Sequence, residues 1–503
     1  MSKNYNFNDP ENLMMRVTIL YVLLMAAITL NALAQQSNKD LQLKTFHSIS
    51  SNQLMEYAAE LSSNKYEGRL SGTPEYLEAA KWCASKFEEW GIQPANNGSY
   101  FQYFPNEYSE VKALGSVVYF NGDEKTYLDF PEDYFPGSNS ASGTVQAELV
   151  YVGHGITAPE LDYDDYKNVD VKGKIIILES GTPYTKNDET LAKWTPYAYH
   201  RYKFRNAVKH GAAGMIYVSK LANPNTVNLE GFIYAHVDIK VAEKIFTDAG
   251  KDLIEVRKQL KDMETPSFEL PTEQQVFIRA ETKYFPEAQA CNVVGMIEGS
   301  DPELKDEVII IGGHLDGQGK MGDVIFPSAL DNASGISDIL GAAKALASSE
   351  EKPKRSVLFI LLGGEECGLY GSKYYCENPL FPVEKTKLMI NLDMVGNGTG
   401  FFVSGGKTHT KLFSHFETAN NTFIHREMQA SAVQKNYGRP RSDASVFEDI
   451  GINTFSLWTR NSVYPVYYHH PMDKTNVLTP EIMEDAAKLL YLGVLGVAND
   501  TKL

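Results

Sequence analysis

Two adjacent carboxylates, Glu365 and Glu366, stand directly after the apolar run "VLFILLGG". Like charges side by side at the mouth of an apolar strand are costly unless a cation or a proton neutralises one of them. Other groups with ligand chemistry occupy comparable places. His314 and Asp316 follow "VIIIGG", Asp393 closes "LMINL", Asp331 precedes the small-residue helix start "NASG", and "VYYHHPMD" carries His469 and His470 in a turn-rich loop. Two His nitrogens with Asp and Glu oxygens make a mixed set that suits zinc, with cobalt or manganese as substitutes. Two cations would account for the paired glutamates. Any one of these residues alone has a structural explanation, and it is their expected convergence that points to chemistry. His154, His200, His210 and His236 lack such company and read as structural.

For these groups to meet, the strands that carry them must lie side by side with their carboxyl ends on one edge, where ligands bind in open α/β sheets. The chain after Cys291 has that texture: continuously apolar strands alternate with small-residue turns and helices. This predicts an α/β fold with a mostly parallel, doubly covered sheet, closed by the helix in "TPEIMEDAAKLLYLGVLG". Upstream, "TPEYLEAAKWCASKFEEWG" has a Thr cap, Pro at the first helical position and a terminal Gly, with Leu77, Ala80, Ala84 and Phe87 on one face. It reads as an amphipathic helix over Thr73 to Gly91. Between about 131 and 278 the pattern changes to short β-rich runs such as "AELVYVGHGI" and "GKIIILESG" separated by Gly, Pro, Asp and Asn, which reads as an inserted domain. The expected organisation is a leader over 1–34, an N-terminal part of the main domain over 35–130, the insertion over 131–278, and the catalytic part over 279–503.

The leader is the basic Arg16, the apolar run "VTILYVLLMAAITL" and the A-x-A signal of Ala32 and Ala34, the pattern of a secretory signal peptide. The expected location of the rest is therefore periplasmic or secreted. At 503 residues, with 47 Lys+Arg against 64 Asp+Glu and a net charge of -17, the chain repels nucleic acid phosphates and anionic lipid surfaces. Neither nucleic acid nor, once the leader is removed, a membrane is an expected partner. The four cysteines (Cys83, Cys291, Cys367 and Cys376) form no disulfide framework and no C-x-x-C spacing. A Cys367–Cys376 pairing stays open at this level.

The order H-x-D, D-N-x-S-G, G-E-E-x-G-L-x-G-S, N-x-D-M and Y-H-x-P-x-D resembles the co-catalytic di-zinc aminopeptidase family. The upstream "EGRLSGTPEYLEAAKW" is similar to that family's lead-in helix, and "DYDDYKNVDVKGKIIIL" with "NAVKHGAAGMIYV" resembles a protease-associated domain. The resemblance implies that His314 and Asp393 hold one zinc, that Glu366 and His469 hold the other, and that Asp331 bridges them. Glu365 is left as the general base and then acid. Asp316 would orient the His314 ring through its second nitrogen, and Tyr468 resembles the family's tyrosine that donates to the developing oxyanion. Arg441, Ser442 and Asp443 match a family loop near the substrate, with Ala444 where many members carry His. Of the neighbouring histidines, the alignment selects His469 as ligand and leaves His470 facing the loop. The implied function is an exported aminopeptidase that hydrolyses the N-terminal peptide bond. A carboxypeptidase or dipeptidase of the same fold is the alternative; a glutaminyl cyclase or a non-catalytic binding protein ranks below it.

Overall fold

The computed structural model describes residues 42–503 except 220, 221, 223, 225, 226 and 461–466, together with positions 14, 18, 20, 21, 23 and 25. The leader read over 1–34 lies outside the described residues apart from those six positions. Among the described residues, no helix is long and apolar enough to cross a membrane.

The first sheet has nine strands, and its centre is four parallel ones: Ser356–Leu362, Val308–His314, Thr386–Leu392 and Thr454–Arg460. Ser356–Leu362 and Val308–His314 are buried along their whole length, which is why they read as continuous apolar runs. The flanks are antiparallel, with Gln289–Ile297 on one side and Gly400–Ser404 on the other. The "mostly parallel" expectation thus describes the centre of a mixed sheet. Close strand packing requires glycine at position 313, where a Cβ would stand 2.5 Å from the Leu392 carbonyl oxygen.

Helices cover both faces. Ser51–Leu61, Pro74–Glu89, Gly335–Ser348, Thr410–Ala419 and Pro480–Asn499 bury their apolar sides with Ile309, Ile311, Phe359 and Leu361 on one face. Residues from Tyr370–Glu377 and Asp443–Asp449 meet Ile310, Leu358 and Ile360 on the other. The Pro74–Glu89 helix starts as expected, with the Thr73 side chain accepting from the Tyr76 N–H at 3.2 Å. All four cysteines are free thiols.

The second sheet has eleven strands and takes in more chain than 131–278. Tyr108–Asn121 pairs with Gln274–Phe285, which pairs with Gly143–Tyr151. From there Ile175–Glu179, Gly214–Val218 and Ile233–Val237 continue in parallel. The β-rich texture read from the sequence is filled out by the helices Leu191–Ala198, His200–Lys209, Ile239–Asp248 and Leu253–Lys261. The short strand Lys320–Met321, which lies between His314 and Asp331 in sequence, pairs with Tyr108–Asn121 and ties the two sheets together.

Candidate active site

The four central parallel strands all end at one edge. Val308–His314 delivers His314 at its last residue, Ser356–Leu362 leads through Gly363 and Gly364 to Glu365 and Glu366, and Thr386–Leu392 delivers Asp393 as its next residue. The chain that follows Thr454–Arg460 returns with Tyr468 and His469. Gly364, at φ +72°, makes the turn that brings the paired glutamates over the strand ends.

His314 Nε2 lies 3.1 Å from Asp331 Oδ1 and 3.4 Å from Asp393 Oδ1. His469 Nε2 lies 3.1 Å from Glu366 Oε2 and 3.4 Å from Asp331 Oδ2. Asp331 therefore spans the two histidines, one oxygen to each. On the far side of each ring, Nδ1 faces a backbone carbonyl: Asp316 O at 3.1 Å for His314, and Ala222 O at 3.0 Å for His469. A carbonyl oxygen only accepts, so both Nδ1 atoms carry hydrogen and both Nε2 lone pairs aim at carboxylate oxygens. Lone pair against lone pair at these distances requires a proton or a cation between them. Two atoms each about 2.1 Å from one tetrahedral zinc stand about 3.4 Å apart, which is the spacing found here.

Charge and burial support the same fit. Burial alone would lower both imidazoles, but Asp331 and Asp393 at His314, and Glu366 and Asp331 at His469, outweigh it and hold both well above the usual range. Burial, with Glu366, Asp443 and Asp393 adding to it, pushes the Glu365 carboxyl well up. Among the described residues, Glu366 Oε1, Asp393 Oδ1 and His469 Nε2 are buried atoms that complete no hydrogen bond. Each such atom costs about 1–3 kcal/mol. Their sum is a large share of a typical net stability of about 5–15 kcal/mol. A divalent cation removes that cost, so the donor set fits zinc.

Several residues outside the sequence-derived set hold this geometry. Asp473 accepts from the Leu330 and Asp331 N–H groups at 2.9 and 3.1 Å, and burial pushes its carboxyl up to about 7. Asn332 donates to Leu392 O at 2.9 Å and accepts from the Met394 N–H at 3.1 Å, joining the segments of Asp331 and Asp393. The fully buried Arg69 guanidinium donates to Leu315 O at 2.8 Å and Ser328 O at 2.9 Å. Asp473 closes the "YHHPMD" motif, and Asn332 lies inside "DNASG"; Arg69, in the lead-in segment, carried no signal beyond its charge.

Asp316 differs from its expected part. Its backbone oxygen, not its carboxylate, takes the His314 Nδ1 hydrogen; Oδ1 stands 3.8 Å away. The carboxylate instead accepts from the Glu365 and Glu366 N–H groups, at 3.2 Å each. The backbone amides of the glutamate turn outcompete the ring for it. Tyr468 stacks on the His469 ring with centroids 3.8 Å apart, and burial with the nearby Asp331 and glutamates pushes its phenol far above the usual range, so it keeps its proton. His470 turns away: its Nδ1 accepts from the Met472 N–H at 3.1 Å. His154, His200 and His236 sit in the second sheet's unit with their pKa values lowered first by burial, apart from the carboxylate cluster.

Beside Asp393 and Tyr468 opens a cavity of about 910 Å³. Trp458, Ser456 and Met394 line it from the main sheet, Arg441 and Ala444 from the loop singled out in sequence, and Asn187 from the second unit.

Residues 292–493 match the family model described as peptidase family M28, and residues 145–245 match the PA domain. An aminopeptidase of Pseudomonas aeruginosa is 25% identical over 420 residues, covering 80% of this chain and 68% of its own. The aminopeptidase YwaD of Bacillus subtilis is 23% identical over 372 residues, covering 71% and 69%. The fold is shared with the aminopeptidase from Aneurinibacillus sp. strain AM-1, at a TM-score of 0.62, 21% identity and coverage of 91% of this chain and 95% of that one. It is shared too with a peptidase M28 precursor from Shewanella amazonensis, at a TM-score of 0.64, 18% identity and coverage of 93% and 98%. This chain is a metallopeptidase. Its residues 292–493 form a region of the peptidase family M28 kind, similar to that of these aminopeptidases, and it carries an inserted PA domain.

Proposed function

We propose that the protein is an exported aminopeptidase that removes N-terminal residues from peptides with two zinc ions. The ions would be held by His314 and Asp393 and by Glu366 and His469, with Asp331 shared between them. The observation that carries this reading is the placement of Asp331, with one oxygen 3.1 Å from His314 and the other 3.4 Å from His469. Export rests on the leader pattern of the sequence.

When bound, the two cations supply Lewis acidity, acidifying water and polarising the scissile carbonyl. The protein does the rest. Glu365, free of the histidine contacts that occupy Glu366, takes the proton of the attacking water and returns it to the leaving amine. Tyr468, held protonated, donates to the oxygen on which charge develops. Asp316 keeps the two glutamates in their different places by gripping both their amides. The cavity next to Asp393 would receive the side chain of the N-terminal residue.

The test uses aminoacyl arylamides and matched peptides with free and acetylated amines, together with metal analysis of the purified chain. About two zinc ions per chain, loss of activity to chelators and cleavage only beside a free amine are expected. A fully active enzyme with a single metal would overturn the two-zinc reading. Equal cleavage of acetylated peptides, or release of residues from the carboxyl end, would transfer the assignment to an endopeptidase or carboxypeptidase.

A further inference from the structure

We propose that Arg201, carried by the inserted unit, is a positioning residue for the Glu365–Glu366 loop, so that the seating of the insert sets the two glutamates. The inference rests on the reading of Glu365 as proton carrier. Arg201 Nη2 donates to the Cys367 carbonyl at 3.0 Å and lies 2.9 Å from the Tyr370 hydroxyl, with the guanidinium 5.7 Å from the centre of that ring. Cys367 directly follows Glu366 in the chain. The loop is gripped from within by Asp316 through the Glu365 and Glu366 amides, and it closes on itself where the Gly368 and Leu369 N–H groups both reach Glu365 O at 2.9 Å. Arg201 adds a hold from a different unit.

The helix that presents Arg201 is rigidly seated. On His200–Lys209, Lys203, Phe204, Asn206 and Ala207 are buried in the insert. Lys203 Nζ donates to His154 O, and Asn206 Nδ2 donates to Gly155 O at 3.0 Å. Arg201 can therefore transmit the insert's position as a fixed fork rather than as a wandering surface charge. Two further contacts run the same way. Tyr199 donates to Gly438 O at 3.1 Å, beside the loop of Arg441, and Ala222 O takes the Nδ1 hydrogen of His469. The insert thus touches three segments that build the site, and of these contacts only Arg201 reaches the loop of Glu365 and Glu366.

The experiment compares Arg201→Met, Arg201→Lys and Arg205→Met in the full chain. It reads kcat and KM on an aminoacyl arylamide, and amide exchange of residues 363–372 by mass spectrometry. Arg201→Met should lower kcat by about 10–100-fold with KM within about 3-fold of the parent. Exchange in 363–372 should quicken by about tenfold. Arg201→Lys keeps the charge and one donor direction, and should recover part of both effects. Arg205, exposed on the same helix, should behave as the parent does when changed to Met. Parent-like exchange and kcat in Arg201→Met, or a change in KM alone, would overturn the proposal. If Arg201→Met does not fold, Arg201→Lys decides: a lowered kcat with faster loop exchange supports the proposal, and parent-like values overturn it. Should the chain cleave no arylamide, the failure lies with the proposed reaction, and the exchange comparison still decides whether Arg201 holds the loop.

Discussion

Both units of the protein pack helices against parallel strands and both bury charge, yet they treat that charge in opposite ways. In the insert, the buried Asp165 carboxylate accepts from the His154 and Ile156 N–H groups at 3.1 and 2.9 Å and from Tyr163 at 2.8 Å. Lys203 lies within reach of its field, and the half-buried Arg257 grips Glu179 with both ends of its fork at 2.9 and 2.7 Å. Around the strand ends of the main sheet, Asp331, Glu366 and Asp393 face two histidines and leave buried atoms without hydrogen bonds. Satisfied buried charge organises a fold. Buried charge left unsatisfied at converging strand ends is a cost that a bound cation would offset.

The contrast can be broken by substitution. The largest effect is expected for Glu365→Gln, which keeps shape and removes the base: turnover should fall by about 10²–10⁴ while zinc stays bound. Loss of metal in that variant would show that the two glutamates have been assigned the wrong way round. Asp473→Asn removes a carboxylate that fixes the Asp331 backbone and should weaken zinc binding by about 10–100-fold, measured by competition with a chromophoric chelator. In the insert the prediction reverses. Asp165→Asn should destabilise its own unit by about 3 kcal/mol, lowering the first thermal transition, while kcat per folded molecule stays near that of the parent. A large kcat effect with unchanged melting would erase the distinction between the two regions. The smallest effect is expected for His470→Ala, with zinc content unchanged and turnover within about 3-fold, set against loss of one metal position in His469→Ala. If His470→Ala loses the metal and His469→Ala keeps it, the ligand position is off by one residue.

Much of this site is legible in the sequence. Apolar runs ending in His314, Glu365 and Asp393 are local features, and strands buried on both faces leave an unbroken apolar record in sequence. The Thr73 cap was readable for the same reason, since a cap depends on residues three apart. Asp316 was placed correctly beside His314 but given the wrong partner. Whether a carboxylate serves a ring or a pair of amides depends on where a loop fifty residues later folds back. Arg69 was invisible because its meaning lies in the Leu315 and Ser328 carbonyls, far away in the chain.

The sequence by itself determined the central strands of the main sheet, the chemical type of the donor set and the order in which strands present it, because these follow from local pattern and residue chemistry. The family resemblance already implied Asp331 between the two histidines and His469 rather than His470 as the inward ring; only the tertiary structure decided that Asp316 grips the Glu365 and Glu366 amides and that Ala222 and Arg201 of the insert reach the site. Those facts depend on contacts between segments tens to hundreds of residues apart. Such contacts are set by how two sheets pack against each other, and pattern along the chain carries no record of that.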